Sequence, residues 1–190
     1  MPKYNYQPDM YIDRKEMGIL INKAEYKEMQ ALLAFFWLTG ARISEVLMQK
    51  CKHIKVENER VYITLITLKT RKKKGSFQDL RTIVFNKSAP FIDILLEWWL
   101  YRQEQNKEYI FNYSEGNPKT ARIRIMPKIK KVDMRIYPHL FRHNRAKLLA
   151  DAGATANQIQ AFMGWDKIST ADRYIKKTQQ LTEPLANLIT

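Results

Sequence analysis

The chain is predicted to be an α+β domain, mainly α, with one small three-stranded antiparallel sheet. Three observations carry that expectation. Apolar residues recur at helical spacing over most of the length, between recognisable caps. After Cys51 the texture changes to β-branched, alternating runs divided by polar turns. A length of 190 residues with 45% hydrophobic side chains, including ten Tyr, eight Phe and four Trp, suits one domain with a sizeable core.

The elements follow in order. Asp13 is placed to cap a helix with Glu16 at capping-box spacing and Met17 and Leu20 behind it. From Lys23 to Leu38, Met29, Leu32, Leu33, Phe36 and Trp37 mark a second helix, and Thr39-Gly40 ends it. Ile43, Val46 and Leu47 restart the pattern as a short third helix. Strands are expected at Ile54–Val56, Val61–Leu68 and Asp79–Phe85, with polar turns at Glu57–Arg60 and Lys69–Ser76. Ser88 is expected to begin the next helix, with Pro90 in its first turn and Phe91, Ile94, Leu95 and Trp98 on one face. Asn117-Pro118 opens a basic helix to Val132. Pro138 introduces another, from His139 to Ala152, closed by Gly153. Thr155 or Asn157 caps the helix that stops at Gly164, and Ser169 starts a short segment through Tyr174.

The charge narrows the partner. There are 33 Lys and Arg against 19 Asp and Glu, a formal net charge of +14. Long-range attraction to phosphate makes nucleic acid the first polyanion to consider. The longest apolar run, Ala31–Leu38, falls far short of the ~18 residues of a membrane helix, and Met1–Asp9 has no signal-peptide core. A lone cysteine, Cys51, allows neither an internal disulfide nor a cysteine-based zinc site. A cytoplasmic protein that meets no membrane is expected.

Several features are weak when taken singly. The run Lys69–Lys74 (KTRKKK) is ordinarily a solvated loop, although at a hairpin tip it would project ammonium and guanidinium groups together into a groove. His139 and His143 have the i, i+4 spacing of metal ligands, but no third ligand or HExxH glutamate accompanies them, so no metal is expected. The helices around Gly153 resemble a helix-turn-helix, with Asn157, Gln158 and Gln160 able to reach base edges. That pattern supports a rival, a DNA-binding module without catalysis. Arg42 and Glu45, one turn apart, would alone be a surface ion pair, and Trp165 alone a core side chain.

The ordered set is stronger. Thr39-Gly40-Ala41-Arg42-Ile43-Ser44-Glu45 precedes Lys69, then His139-Leu140-Phe141-Arg142-His143, Gly164-Trp165, and Tyr174 nine positions after the tryptophan. This series resembles the tyrosine recombinase (phage integrase) family, Xer-like members included, over roughly Ile12–Lys176. The family shows a TGxRxSE-like box, a hairpin lysine, an HxxR box, a His or Trp after glycine, and the nucleophilic tyrosine.

The resemblance implies the tyrosine-recombinase catalytic-domain fold and a site-specific DNA recombinase that cuts and rejoins strands through a 3′-phosphotyrosine. A phenol suits such a relay because its ester stores the bond energy and phenolate leaves readily. Its ordinary pKa, near ~10, demands a base, and the resemblance assigns His139 to that transfer. Arg42 and Arg142 are the implied phosphate clamps, each a permanently charged fork. Trp165 offers an N–H donor where many relatives carry His. Lys69 is the implied acid for the leaving 5′ hydroxyl, with Lys72, Lys73 or Lys74 able to take the same space. Glu45 would buttress the site, and Arg71 and Lys72–Lys74 would hold DNA. No cofactor is called for. A type IB topoisomerase shares a similar tyrosine, arginines and lysine, but the TGxRxSE and HLFRH boxes favour the recombinase.

The expected layout is an N-terminal arm over 1–11, the catalytic domain over 12–177 and a tail over 178–190. In the tail, Leu181, Leu185 and Leu188 form a stripe that would dock on a neighbouring protomer. Partners implied are double-stranded DNA, further copies of the chain forming a tetramer at synapsis, and accessory DNA-bending proteins, in a nucleoid of prokaryotic or mobile-element origin. Most relatives carry a helical core-binding domain ahead of this region. Only about a dozen residues stand there in this sequence. Either the chain is part of a longer one, or a single domain suffices.

Overall fold

The computed structural model describes residues 11–67, 79–114 and 118–176. Helix α1 (Arg14–Lys23) starts where expected: the Asp13 carboxylate accepts the Glu16 N–H at 2.7 Å, supplying a partner to a donor that the first turn leaves unsatisfied. The next helix does not begin at Lys23. Ala24 and Tyr26 are extended, so α1 ends at Lys23 and α2 runs Lys27–Thr39. Helix α2 is buried along nearly its whole length, Phe35 and Phe36 completely. Each such ring contributes ~1.5–3 kcal/mol of transfer free energy.

At the end of α2 the chain turns through Gly40, at φ +57°. A Cβ there would lie 3.0 Å from both Arg145 Cβ and Met163 Cε, so glycine answers two demands, left-handed backbone and close approach. Helix α3 (Ile43–Leu47) follows at once, with Arg42 as its N-cap residue.

A short 3-10 turn (Cys51–His53) leads into β1 (Ile54–Glu57), β2 (Arg60–Thr67) and β3 (Asp79–Asn86), antiparallel in the order β1-β2-β3. The register sets Ile54 and Ile83 beside Ile63 on the buried face, and Leu65 beside Arg81. Arg81, Ile83 and Phe85 therefore point inward, while Leu80 and Val84 are exposed. The three strands agree with expectation. The hairpin residues Lys69, Arg71, Lys72, Lys73 and Lys74 lie outside the described residues, as do the arm through residue 10 and the tail over 178–190.

Helix α4 (Ile92–Glu104) begins four residues later than Ser88 suggested. Phe91 is left-handed at φ +65°, which no helix continues through, and Ser88 and Pro90 belong to the preceding turn. That conformation costs ~1–2 kcal/mol, offset by packing of the Phe91 ring edge-on to Trp37, centroids 6.1 Å apart. The buried face is accordingly Ile92, Leu95, Trp99 and Arg102 rather than the stripe led by Phe91.

Helix α5 (Pro118–Val132), α6 (Pro138–Asp151) and α7 (Ala156–Met163) match expectation, with Pro138 in the first turn of α6 and Thr155 as the α7 cap. Residues 169–176 are helical. Helix α2 packs against α1, α4 and α6. Phe36 stacks on Phe141 of α6 at 5.8 Å, and buried Asn144 bonds both the N–H and the carbonyl of Ile12. A second, smaller core holds Ala146, Ala150, Ile159, Met163 and Ala171, with Trp165 and Tyr174 packed at its margin. Among the described residues no helix is long and apolar enough to cross a membrane.

Candidate active site

Three chain turns converge: the Gly40 turn after α2, the start of α6, and the Gly164 turn after α7. Arg142 ties them together. Its Nη1 donates to the Gly40 carbonyl at 2.9 Å and its Nη2 to the Met163 carbonyl. Both carbonyls terminate helices, where orphan acceptors and the negative end of the helix dipole favour a cation. A guanidinium has five N–H donors, so this anchoring leaves others for an incoming anion. The group is 5% exposed and lies 5.5 Å from the Trp165 ring centroid. Burial and then the Arg42 charge push its pKa down to about 9, with Glu45 pulling the other way, so it is cationic at neutral pH.

Glu45 is the counter-charge. Fully buried, it accepts the Arg42 N–H at 2.8 Å and Arg42 Nη1 at 2.9 Å. Its two oxygens also take Arg81 Nη1 and Nη2, each at 3.0 Å, in a fork-to-fork pair. Burial pushes the carboxyl pKa up, but the Arg81 and Arg42 bonds and charges outweigh it and hold Glu45 below the usual carboxylate range. The Arg42 side chain keeps about a third of its surface open (32%).

The tyrosine sits on this framework. Tyr174 stacks on Trp165 with centroids 5.5 Å apart and planes 17° from parallel. Its hydroxyl is hydrogen-bonded to His143 Nδ1, the rings 6.0 Å apart. Arg142 lies close enough for the phenol and the guanidinium to interact electrostatically. Beside these groups opens a cleft of about 490 Å³ lined by Arg42, Ser44, Arg122, Tyr137, His139 and His143, among others. His139 is exposed at its edge, and partial desolvation followed by the charges of Arg142, Arg122 and Arg42 holds its pKa below the ordinary histidine value. At pH 7 it is therefore a neutral imidazole.

The structure thus gathers Arg42, Glu45, His139, Arg142, Trp165 and Tyr174 from separate stretches of sequence. Three further residues escaped the sequence-based choice of site residues. His143 touches the phenol; the sequence showed it in the HLFRH box and in the i, i+4 pair with His139, but gave it no role. Arg122 lines the cleft from α5 and was one of many basic residues there. Arg81 grips Glu45, and its signal was parity: in an alternating strand it shares the inward face with Ile83 and Phe85, where a charge requires a buried partner.

Arg81 also explains Gly164, which is left-handed at φ +61° and whose Cβ position lies 2.5 Å from Arg81 Nη1. Gly153, at φ +83°, has nothing within 4 Å of that position. Gly153→Ala is expected to cost ~1–2 kcal/mol for backbone alone. Gly164→Ala should cost a further ~1–3 kcal/mol, because Arg81 must leave Glu45. Urea unfolding of the two variants checks this; equal losses would show that Arg81 adjusts freely.

Known proteins share this fold. The sequence model of the phage integrase family matches residues 11–180. Among curated relatives, tyrosine recombinase XerC of Bacillus subtilis is 23% identical over 95% of the chain, and XerA of Pyrococcus horikoshii 25% identical over 86%. The chain spans 59% and 55% of the length of these two. Among solved structures, XerA recombinase superposes with a TM-score of 0.67 at 19% identity, covering 92% of this chain and 64% of that one. XerH bound to its difH substrate gives 0.60 at 21% identity, covering 86% of this chain and 49% of that one. The match covers the whole described fold from α1 to the helix that carries Tyr174, and it identifies the chain as a member of the phage integrase family.

Proposed function

We propose that this chain is the catalytic part of a site-specific DNA recombinase that cleaves and rejoins strands through Tyr174. One observation carries the reading: Tyr174, its ring stacked on Trp165 and its hydroxyl bonded to His143, stands beside a preorganised arginine cluster, Arg42 and Arg142, braced by Glu45.

In the proposed reaction the phenolate oxygen forms a bond to phosphorus while the bond from phosphorus to the 5′ oxygen breaks. The strand is left as a 3′-phosphotyrosine ester and a free 5′ hydroxyl. Charge gathers on the non-bridging oxygens, and Arg42 and Arg142 donate to them; fixed donors of this kind need no reorganisation as the charge develops. The open side chain of Arg42 and the unused N–H groups of Arg142 suit that task. His139, neutral at the cleft edge, adds a further donor to phosphate. The 5′ oxygen needs a proton as it leaves, and Lys69 is proposed to supply it. Attack of a 5′ hydroxyl on the phosphotyrosine reverses the step, and on an exchanged strand it recombines. Neither metal nor nucleotide enters this scheme.

The DNA partner is supported by charge placement as well as total charge. Helix α5 exposes Arg122, Arg124, Lys128 and Lys131 along its length, with Arg122 at the cleft. Arg71 and Lys72–Lys74 are proposed to add backbone contacts. A structural neighbour in a solved complex points the same way: the Tn1549 transposon integrase was captured with transposon right-end DNA. A synaptic tetramer, tail docking through Leu181–Leu188, help from DNA-bending proteins and action at the nucleoid complete the reading.

The test is covalent trapping. The protein is incubated in EDTA with nicked duplexes tiled across the DNA flanking its coding sequence, and adducts are isolated on a denaturing gel. Trypsin cuts after Arg173 and Lys176, so the nucleotide should remain on the tripeptide Tyr174-Ile175-Lys176. One cleavage position per duplex, with the DNA on that peptide, is the expected result. Attachment to another tyrosine, or no adduct across the panel, would overturn the assignment.

A further inference from the structure

Two histidines, His139 and His143, stand one helical turn apart on α6, and both line the cleft. One of them reaches the phenol: His143 Nδ1 is the ring nitrogen hydrogen-bonded to the Tyr174 hydroxyl. Among the described residues, three other polar groups of the site are poor proton acceptors. Trp165 has an indole N–H and no lone pair to offer, and Arg142 is a cation already committed to two carbonyls. Glu45 has both oxygens occupied by Arg42 and Arg81. His143 combines a basic lone pair at hydrogen-bonding range of the reacting oxygen with a face on the cleft where a phosphodiester would enter.

We infer that His143 is a catalytic residue, the general base that takes the Tyr174 proton. The inference rests on Tyr174 being the nucleophile. The proton moves from Tyr174 Oη to His143 Nδ1, which requires the tautomer with its other proton on Nε2. The phenolate oxygen then bonds to phosphorus, the bond to the 5′ oxygen breaks, and that oxygen is protonated from the opposite side of the phosphorus. In religation the His143 imidazolium returns its proton to the departing phenolate, as microscopic reversibility requires. His139 is thereby left to the phosphate.

The surrounding charge gives this base a built-in condition. Arg42 and Arg122 line the cleft with His143, and Arg142 precedes it on α6, so positive charge surrounds an imidazolium there while the cleft is empty. A bound phosphodiester brings the negative charge that makes the imidazolium tolerable. On this reading proton transfer is favoured once DNA is bound.

The experiment uses the trapping assay with His143→Gln, which keeps a hydrogen-bond acceptor, one bond further out than Nδ1, but has no basicity, in combination with a fluorinated tyrosine at position 174. Removing a general base is expected to slow adduct formation by roughly 10²-fold or more. A more acidic phenol needs less help, so the fluorinated residue should speed the His143→Gln protein while leaving wild type unchanged or slower. Salt-dependent DNA binding of each variant confirms that it is folded. Wild-type rates in His143→Gln would overturn the base assignment, as would a slow variant that the fluorinated phenol does not rescue, since that marks a packing role. His143→Asn, whose Oδ1 stands on Cγ as Nδ1 does, should show the same rescue. If wild type itself forms no adduct, the proposed function fails and takes the base with it, a result distinct from the other two.

Discussion

Arg142→Lys is expected to slow covalent adduct formation by about 10²–10³-fold, the scale of losing one preorganised transition-state donor. The arithmetic of donors explains why charge conservation does not help. Arg142 spends one N–H on the Gly40 carbonyl and another on the Met163 carbonyl, and it keeps others for phosphate. An ammonium is a single point with three donors on a flexible stem, and it cannot span both carbonyls and face the cleft as well. Whichever contact it keeps, another is lost. If it reaches phosphate, the ends of α2 and α7 each lose the cation that satisfied their last carbonyls, and the α7 end carries Trp165 toward Tyr174. Loss of adduct rate with near-normal DNA retention on a filter is the expected signature, because affinity is spread over many phosphate contacts. An Arg142→Lys protein that cleaves within threefold of wild type would show that Arg142 is a brace and that the clamp lies elsewhere.

The pattern of what sequence discloses has a physical basis. Local signals marked local structure: Asp13 and Thr155 are caps because their side chains bond the first turn, and Gly40, Gly153 and Gly164 all prove left-handed. The failures are tertiary. Nothing near Phe91 in sequence announces a left-handed phenylalanine, because what holds it there is Trp37, far away in the chain. The strained residue delays α4 and rotates its buried face. The apolar periodicity across Lys23 gave no warning that Ala24 and Tyr26 are extended, since the Gln30 side chain bonding the Ala24 carbonyl is what fixes the gap.

The site divides along the same line. Arg42, His139, Arg142, Trp165 and Tyr174 were legible because their boxes keep fixed spacing along the chain. Arg81 was not, nor was any role for His143 within its box, since each has meaning only through a partner brought in from elsewhere, Glu45 in one case and Tyr174 in the other. Arg81 was within reach of argument all the same: strand parity turns it inward, and a charge turned inward must find a carboxylate.

Glu45→Gln carries the largest expected cost in stability, about 3–5 kcal/mol, the range for removing one partner from a buried ion pair. The carboxylate has no exposure, and the Arg81 side chain opposite it only 10%. Glutamine fits the space but offers one acceptor oxygen and no charge, and its amide would set N–H donors against the N–H groups of Arg42 and Arg81. Three guanidinium groups, those of Arg42, Arg81 and Arg142, would then repel one another with nothing between them. Acid should imitate the mutation. Because the folded-state pKa of Glu45 lies below its ordinary value of 4.5, its contribution is fully present above that pH and is lost as pH falls through the folded value. The gap between wild type and Glu45→Gln in urea unfolding should therefore be constant from pH 7 down to about 5 and narrow below it. A gap that stays constant to pH 3 would mean that the carboxylate contributes shape and no charge. The functional consequence runs opposite to affinity. The variant gains one net positive charge and should bind DNA at least as tightly at low salt, yet Arg42 loses at least one of the two bonds, to its backbone N–H and its side chain, that orient it over the cleft. Tighter retention with slower cleavage would separate holding the phosphate from aiming the groups that break it.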